Sequence, residues 1–559
     1  MVDPPATAGG TDFSSMTLDT FNKRSRPSIF RKLADEKIDL LVIGGGITGA
    51  SVFRDAAMRG MKVALVEAKD FASATSGRSS KLIHGGLRYI KNLGLGLARE
   101  SCRERNLHIR LNKRLVRPLP FLVPLYRNKG ESRLLMRLGM LLYEALSGFN
   151  NYRFHTFLSR EETLSLAPAL PAKGLTGGCL YYDAVINDSR WTMEVLKDGV
   201  AHNGIAVNYC PVIQLLSENM QLSGARVHDE LTGVQHDIRA RVVVNATGIF
   251  NDQIRRLDGD RSAKPRRLSK GTHLVFAEAD VPLSTTIVFS SPLDGRSLFL
   301  AKHEECFLYG TSDHWEEANP ELPIPAQTDV DYLLASLNGF MPEAQLDRSK
   351  VQFVYSGFRP LVNAGQTNSS KVTREDQIEV SASGLVSVAG GKLTTARVTA
   401  ERVLDRVIKL IGRDSSWSNC KTHKVSIGGT NEAVAESLAY WVRRCPRLTS
   451  YFRVLYQRYG LDANEICGEV VRLQEGADPT AEPIRAEVQY VCRHEMVCTL
   501  EDLIDRRAGF LYWNAEKRLE RLRHGAQVIR AELDLSEAEF ESQWLAYRDH
   551  LKRFHSLPE

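Results

Sequence analysis

The chain has 559 residues, more than one hydrophobic core usually supports, so two or more domains are expected. Its hydrophobic content of 43% and charged content of 25% are those of an ordinary globular protein and exclude a disordered chain. The net charge of +6 is small for this length, and no nucleic-acid binding is expected from it.

The cysteine pattern indicates neither a metal site nor a disulfide framework. The nine cysteines show no CxxC pair and no regular spacing, which fits a reducing compartment. The N-terminus lacks the basic segment and apolar core of a secretory signal, and no apolar run reaches the roughly 18 residues of a transmembrane helix. We therefore expect a cytoplasmic protein without a metal, which lies on the membrane surface if it meets one.

Composition divides the chain into three parts. Residues 1–36 are rich in Pro, Gly, Ser and Thr and then become charged, which predicts a flexible extension. Residues 37–412 alternate between strand and helix patterns, with short β-rich runs between residues 175 and 300. Residues 413–559 lose the strand signals and predict a helical C-terminal domain.

A complete βαβ unit opens the second part. Gly44, Gly46 and Gly49 form a GxGxxG that directly follows an apolar run and begins a helical stretch. The glycines permit a tight turn and a close approach to a pyrophosphate, and Glu67 ends the second strand where it can accept from a ribose hydroxyl. This context predicts a dinucleotide site without a 2′-phosphate; the alternative is a merely tight turn.

Two later segments favour FAD over NAD. In a flavoprotein of this architecture, later segments of the chain contact the same nucleotide again, whereas a simple NAD dehydrogenase has no such segments. VVVNATG ends a strand in small residues at Ala246, Thr247 and Gly248. VAGGKLTT is a second glycine turn that opens a helix, whose N-terminus can face the pyrimidine end of a flavin. The first segment alone is equally compatible with an ordinary strand end.

Five segments then carry a family resemblance: IGGGITGA, TSGRSSKLIHGGLRY, SKGTHLV, GFRPL and GGKLTTAR. In this order and spacing they closely resemble the FAD-dependent glycerol-3-phosphate dehydrogenases, and EVQYVCRHEMVCTLEDLIDRR is similar to that family's helical C-terminal domain. The resemblance covers about residues 38–530. It implies oxidation of sn-glycerol 3-phosphate to dihydroxyacetone phosphate, with electrons passing from FAD to a membrane quinone.

The fold class expected from these observations is α/β. It consists of an FAD-binding Rossmann-like domain with an interleaved antiparallel substrate-binding sheet, followed by a helical C-terminal cap. Three other functions stay open: a glycerol-3-phosphate oxidase that uses oxygen and makes hydrogen peroxide, a related FAD-dependent amine oxidase, and a silent flavin-binding scaffold. The sequence also leaves the oligomeric state open, a homodimer among the alternatives.

The resemblance places the substrate phosphate at Arg88 and Lys392, with Tyr89 and Thr394 or Thr395 nearby. A phosphate dianion needs fixed cations, and these two side chains offer a planar fork and a compact charge. The Gly-Gly pair that precedes Arg88 would let the chain turn toward the phosphate. The alternative for Arg88 is a surface salt bridge.

Oxidation of a secondary alcohol also requires a base for the hydroxyl proton, and histidine is the default because its pKa lies near working pH. The resemblance places His273 beside the reacting carbon, with His84 as the second candidate. For either residue the alternative is a structural histidine. Arg359 can stabilise alkoxide charge, but its guanidinium is an unlikely base.

The resemblance further implies hydrogen bonds around the flavin from Ser79, Ser80 and Lys81. The full predicted cofactor set is Gly44, Gly46, Gly49, Glu67, Thr75, Ser76, Ser79, Ser80, Lys81, Ala246, Thr247, Gly248, Gly390, Gly391, Lys392, Leu393 and Thr394. Three positions depart from the family: Ala396 replaces a common Tyr, Ser312 a common Thr, and Phe358 a common Leu or Val. These departures concern substrate packing more than the type of reaction.

Residues 99–149 combine many arginines with apolar runs such as FLVPLY and LLMRLGMLLYEAL. This mixture predicts a membrane-facing arm for an anionic surface. The alternative is an amphipathic helix packed on the protein's own core, with its arginines solvated. A nucleic-acid patch is disfavoured because no recognition motif accompanies the charge.

Overall fold

The structure is a computed structural model. It describes residues 21–91, 94–127, 132–259, 268–316, 323–360, 375–473, 482–508, 519–520 and 523–558.

The strands of the described residues, in chain order, are β1 (Ile38–Ile43), β2 (Val63–Val66), β3 (Leu82–Ile83), β4 (Arg117–Tyr126), β5 (Thr156–Leu158), β6 (Leu175–Val185), β7 (Ile205–Val207), β8 (Val212–Glu218), β9 (Gln221–His228), β10 (Gln235–Asn245), β11 (Leu268–Ala277), β12 (Thr286–Ser290), β13 (Ser297–His303), β14 (Cys306–Gly310), β15 (His314–Glu316), β16 (Val351–Pro360), β17 (Gln377–Val380) and β18 (Val386–Ala389).

The α-helices of the described residues are α1 (Arg26–Asp35), α2 (Ile47–Arg59), α3 (Leu87–Lys91), α4 (Leu95–Leu111), α5 (Arg133–Leu146), α6 (Arg160–Leu166), α7 (Asp188–Ala201), α8 (Asn251–Leu257), α9 (Gln327–Phe340), α10 (Ala396–Ile411), α11 (Asn431–Arg444), α12 (Thr449–Tyr459), α13 (Ala463–Leu473), α14 (Glu482–His494), α15 (Ala526–Leu533) and α16 (Glu537–His555). A π-helix spans Asp502–Arg507.

A largely parallel sheet forms the first layer, with strand order β17-β18-β10-β1-β2-β7. Strand β1 pairs in parallel with both β2 and β10, and α2 follows β1 through the GxGxxG turn. Gly44 has a φ of +110°, which L side chains rarely adopt, and a Cβ on Gly49 would lie 1.8 Å from the Gly44 carbonyl oxygen. The glycines therefore let helix and turn pack against each other.

A larger, mostly antiparallel sheet forms the second layer, with order β15-β11-β14-β13-β12-β4-β6-β3. Strand β16 pairs with β11, and β5 pairs with β6. Because β3–β6 and β11–β16 fall between the parallel strands in the sequence, the antiparallel sheet is interleaved with the nucleotide-binding layer. The predicted α/β fold class is confirmed.

The helices after residue 430 pack on one face of the antiparallel sheet. One core cluster joins Val275, Leu308 and Phe353 of that sheet to helical residues such as Phe452 and Tyr459. The predicted helical C-terminal domain is therefore present, and it shares a core with the antiparallel sheet.

Buried ion pairs also join the two halves. Arg507 of the π-helix donates to Asp70 at 2.6 and 2.9 Å, and both side chains are almost fully buried. Arg190 of α7 donates to both carboxylate oxygens of Glu495 at 2.8 Å. Removing either partner would leave a buried charge uncompensated, which typically costs about 3–5 kcal/mol.

The N-terminal segment differs from the expected flexible extension where the structure describes it. Residues 26–35 form α1, whose Ile29, Phe30 and Leu33 are buried in the main core. Arg26 is buried too and forms an ion pair with Asp229. The Pro, Gly and Ser content predicted a flexible segment. Instead, apolar residues at helical spacing bury one face of α1 against the core. Residues 1–20 lie outside the described part of the chain.

The basic stretch 99–149 is not a separate arm, because β4 runs inside the antiparallel sheet and α4 packs on the core. Arg105 is buried against Asp183 at 2.6 Å, and Arg114 forms a buried ion pair with Glu194. Arg99, Arg103 and Arg110 of α4 are exposed to solvent, and so is the outer face of α5. This face exposes five leucines, each with 38–68% of its surface accessible: Leu134, Leu135, Leu138, Leu141 and Leu142.

Candidate active site

One large cavity of about 1550 Å³ lies between the two sheets. Gly44, Glu67, Ala246 and Gly390 line it, and each directly follows a strand of the parallel sheet. Ligands of doubly wound α/β folds bind outside the carboxyl ends of the parallel strands. The two later segments that we expected to return to the nucleotide thus line the same cavity as the first turn.

The nucleotide end of the cavity is organised around Glu67. Its Oε2 accepts the Gly45 N–H at 2.6 Å and its Oε1 accepts the Lys69 N–H at 2.9 Å. Burial raises the pKa of Glu67, against the lowering effect of these backbone hydrogen bonds. The carboxylate is fixed at the end of β2, where it can accept from a ribose hydroxyl.

The turn itself has room for a pyrophosphate. A Cβ on Gly46 would point toward the Ser76 hydroxyl at 3.0 Å, and the next atom within reach is 4.0 Å away. The Ile47 N–H, at the start of α2, donates to the same hydroxyl at 2.8 Å. This turn fits the phosphates of a dinucleotide. It offers backbone N–H donors at the N-terminus of α2, and Gly46 leaves space because it has no side chain.

The stretch SSKLIHGGLRY divides between the cavity and the core. Ser79 and Ser80 line the cavity, together with Thr75 and Ser76. Lys81 instead turns into the protein, where its ammonium forms a buried ion pair with Asp188. Asp188 also accepts from the Ser79 N–H at 2.9 Å and the Ser79 hydroxyl at 2.7 Å. Lys81 therefore supports the serines from behind, rather than lining the flavin site as predicted.

His273 lies in the cavity wall on β11 and is 3% exposed. Its Nε2 is 2.9 Å from the Ser80 hydroxyl, and its ring stacks on Tyr355 with centroids 4.8 Å apart. Nδ1 is buried and has no hydrogen-bond partner among the described residues. Burial lowers the pKa of His273 well below its ordinary value, and the charges of Arg359 and Lys81 lower it further. The imidazole is thus neutral near pH 7.

Arg359 of β16 pairs with Ser269 of β11, and its side chain packs over Gly271, two residues before this histidine. A Cβ on Gly271 would be 2.2 Å from the Arg359 Nη2, so the glycine in SKGTH makes room for the guanidinium. Arg359 donates to Ser269 at 3.2 Å and to Thr311 at 3.0 Å, and is 3.4 Å from the Asp313 carboxylate. The sequence analysis did not predict the residues that surround Arg359, which are Gly271, Thr311 and Asp313. The glycine in SKGTH was the one sequence signal for this packing.

The predicted phosphate end is partly described. The Lys392 Nζ lies 4.2 Å from the Tyr89 ring centroid and hydrogen-bonds the Ser101 hydroxyl. The Thr394 hydroxyl accepts the His84 N–H at 3.3 Å. Lys392, Tyr89, His84 and Thr394 all line the cavity. The Arg88 side chain lies outside the described part of the structure.

Several predicted residues support the site without lining it. Thr395 is 1% exposed and is not part of the cavity lining, and Gly49 packs on the Gly44 carbonyl. Of the three departures from the family pattern, Ala396 is buried, and Ser312 accepts the Thr272 N–H at 3.0 Å, a hydrogen bond that a threonine hydroxyl can also make. Phe358 is buried while lining the cavity.

The remaining predicted cofactor residues line the cavity in two groups. One group follows β10 and the other follows β18: Ala246, Thr247, Gly248, Gly390, Gly391 and Leu393. Together with Gly44, Gly46 and Glu67, they define a dinucleotide-binding oxidoreductase with a neutral buried histidine and an arginine at its reacting end.

Comparison with known proteins agrees with this class. Residues 39–406 match the FAD dependent oxidoreductase family, and residues 420–540 match the C-terminal domain of alpha-glycerophosphate oxidase. Aerobic glycerol-3-phosphate dehydrogenase of Staphylococcus aureus (strain USA300) is 32% identical over 537 residues, covering 94% of this chain and 96% of the relative. The chain therefore belongs to the FAD-dependent oxidoreductases and, among them, to the aerobic glycerol-3-phosphate dehydrogenase family.

Solved structures share the architecture. The glycerol-3-phosphate dehydrogenase from Bacillus halodurans complexed with FAD has a TM-score of 0.79 at 29% identity, covering 95% of this chain and 98% of that one. L-alpha-glycerophosphate oxidase from Mycoplasma pneumoniae, at 16% identity and a TM-score of 0.53, covers 70% of this chain and 99% of its own and shares the fold. The predicted family, enzyme class and FAD cofactor are confirmed.

Proposed function

We propose that this enzyme oxidises sn-glycerol 3-phosphate to dihydroxyacetone phosphate. The observation that carries the proposal is one cavity that holds Lys392 with Tyr89, the neutral His273 and Arg359 together. The names of the relatives add the substrate: the Staphylococcus aureus and Bacillus halodurans proteins are glycerol-3-phosphate dehydrogenases.

The residues divide the chemical work. Lys392 binds the substrate phosphate as a compact charge. His273, which lines the cavity and is neutral, accepts the proton of the substrate hydroxyl. Arg359, held by Ser269 and Thr311, stabilises the negative charge that develops on the substrate oxygen. Bound FAD, held at the Gly44–Gly46 turn and by Glu67, supplies the acceptor for the hydride.

Anaerobic reduction of the flavin tests the substrate class. Glycerol 3-phosphate should bleach the oxidised-flavin absorbance, whereas glycerol lacks the phosphate for Lys392 and should react far more slowly. D-amino acids should leave the flavin oxidised. Bleaching by amino acids but not by glycerol 3-phosphate would assign the chain to amine oxidation, and bleaching by none of them would leave a silent flavin scaffold.

We further propose that electrons leave the flavin for a membrane quinone. The cavity wall beside α5 is apolar, formed by Val123, Met136, Val288 and Phe299, which suits an apolar acceptor. The competing acceptor is oxygen, since residues 420–540 resemble a domain of an oxidase. After reduction by substrate, reoxidation should be fast with a soluble quinone and slow in air; fast peroxide-forming reoxidation in air would favour the oxidase.

The exposed leucine face of α5 is the surface we propose for an anionic membrane. Arg133 and Arg137 flank these leucines and lie 5.6 and 5.2 Å from the Phe157 ring centroid. No helix in the described ranges is long and apolar enough to cross a bilayer. An amphipathic helix with arginines beside an apolar row suits attachment in the plane of the interface.

Vesicle co-sedimentation tests the membrane surface. Each basic side chain near an anionic surface contributes about 1 kcal/mol, so Arg133→Gln with Arg137→Gln should weaken binding about thirty-fold. Flavin reduction should be unchanged. The control replaces two exposed arginines of the helical domain, Arg444→Gln and Arg453→Gln. Equal binding by both double variants would show that α5 does not face the membrane.

A further inference from the structure

A cluster of metal-ligand side chains lies where the helical domain meets the catalytic sheet. Asp505 belongs to the π-helix, and His550 and His555 lie near the end of α16. One donor atom from each residue can be chosen so that all lie within 4.8 Å of one another. The cysteine spacings that argued against a metal in the sequence do not concern these residues.

We propose that Asp505, His550 and His555 form a binding site for one divalent transition-metal ion of the zinc class. Ligands at about 2.0–2.1 Å from a tetrahedral zinc stand about 3.4 Å apart. The His550 Nε2 and the Asp505 Oδ2 are 3.6 Å apart, which matches this separation. Small side-chain rotations would bring the third ligand to the same spacing.

Two of the three ligands already have the supporting hydrogen bonds of metal sites. The His555 Nδ1 is 3.2 Å from the Val354 carbonyl oxygen. A carbonyl only accepts, so Nδ1 carries the proton and the lone pair of the neutral ring is on Nε2. The Tyr547 hydroxyl donates to Asp505 Oδ1 at 2.6 Å and orients that carboxylate. Such outer contacts fix the tautomer and orientation of metal ligands.

His550 supplies the third observation. Its Nε2 is buried and has no hydrogen-bond partner among the described residues. Its Nδ1 lies 3.5 Å from a Glu501 carboxylate oxygen. This separation and that between Nε2 and the Asp505 Oδ2 are both longer than a normal hydrogen bond between nitrogen and oxygen. A cation between Nε2, Oδ2 and His555 satisfies the buried nitrogen.

The chemistry of the donors selects the class of ion. Two imidazoles with one carboxylate suit zinc and neighbouring transition metals, whereas calcium and magnesium prefer oxygen ligands throughout. The two histidines also stand in the last turns of a 19-residue helix, whose C-terminal end carries partial negative charge. Arg506 of the same π-helix is paired with Asp70, Glu501 and Asp502.

An ion there would join three segments of the fold. Asp505 is on the π-helix, the histidines are on α16, and the Val354 carbonyl belongs to β16, which carries Arg359. Binding would therefore hold the last helix against both the π-helix and the catalytic sheet, and should stabilise the folded state by mass action. The inference does not depend on the substrate proposed above.

Zinc titration of the untagged, chelator-treated holoenzyme tests the site. We expect the protein to bind one equivalent of zinc and to have a higher Tm when zinc is bound. When cobalt replaces zinc, the site should show visible absorption. His550→Ala with His555→Ala should abolish all three effects, and Asp505→Asn should weaken binding with little change in shape. Tyr547→Phe should lower the affinity about ten-fold, as removal of an outer hydrogen bond does.

His524→Ala is the matched control, because His524 is an exposed histidine of the same domain. It should bind zinc like the wild type. Circular dichroism and flavin content show whether each variant folds. If the double histidine variant does not fold, Tyr547→Phe still tests the site. The proposal is wrong if the wild type binds no equivalent of zinc, or if folded Asp505→Asn and Tyr547→Phe both bind as tightly as the wild type.

Discussion

The two ends of the cavity are built differently. The nucleotide end comes mostly from one βαβ unit, where Gly44, Gly46 and Glu67 lie within a short stretch of chain. The reacting end brings together Ser80, His273, Arg359 and Lys392 from separate parts of the sequence. A local turn is fixed by spacing, whereas a reacting centre depends on how distant strands pair; the two ends should therefore fail in different ways when altered.

Gly46→Val should break the nucleotide end completely. A branched side chain would occupy the space left for the pyrophosphate and press on the Ser76 hydroxyl, 3.0 Å from the position of a Cβ. We expect purified protein without flavin, measured by its visible absorbance. Gly96→Val is the control, because a Cβ at Gly96 would meet nothing within 4 Å. Stoichiometric flavin in Gly46→Val would contradict the pyrophosphate assignment.

His273→Ala should break the reacting end and leave the nucleotide end intact. Losing a general base typically costs about 10²–10⁴-fold in rate, so anaerobic flavin reduction should slow by that factor while flavin content stays normal. Stopped-flow spectroscopy at several substrate concentrations separates this rate from substrate binding. His84→Ala is the comparison; a larger loss in that variant would transfer the role of base to His84.

Lys392→Ala should weaken the phosphate end of the same site. Truncating one partner of a desolvated charge pair typically costs about 2–5 kcal/mol, so kcat/KM for glycerol 3-phosphate should fall on the order of a hundred-fold. The slow reaction with glycerol should change little, because glycerol offers no phosphate. If both substrates lose rate equally, Lys392 acts on the flavin or the fold instead.

A change of pH should alter the rate of flavin reduction less than any of the three substitutions above. The pKa of His273 in the folded protein lies below its ordinary value of 6.5, because burial disfavours the charged imidazolium. The base is therefore neutral at and above pH 6.5, and activity should fall only as the pH drops below that value. The pH profile of the anaerobic reduction rate measures this limb. An acidic limb above pH 6.5 would contradict the described environment.

Sequence reasoning succeeded where the chemistry follows from local spacing or from a motif. The predicted residues that line one cavity include Gly44, Gly46 and Glu67, the second glycine turn, His273 and Arg359. It could not foresee the partners that hold them. Asp188, which binds Ser79 and Lys81, comes from the start of α7, and its position depends on tertiary packing alone.

Charge composition was similarly ambiguous. Arg105 and Arg133 belong to the same basic stretch, yet one is buried against Asp183 and the other is exposed on α5. A count of arginines cannot separate these cases, because burial depends on which acid the fold places opposite each side chain. The packed helix α1 was missed for a related reason: its apolar face has a partner only in the folded protein.

The pairing of Asp70 with Arg507 sets an order of events during synthesis. The two residues are 437 positions apart, and Asp70 stands just after Glu67 in the loop that serves the nucleotide. A ribosome adding about 5–20 residues per second needs about 20–90 s to travel that distance. For that time the nascent chain has its glycine turn but lacks the arginine that neutralises the neighbouring loop. Full assembly of the nucleotide pocket is therefore a late event, because it waits for the last tenth or so of the chain.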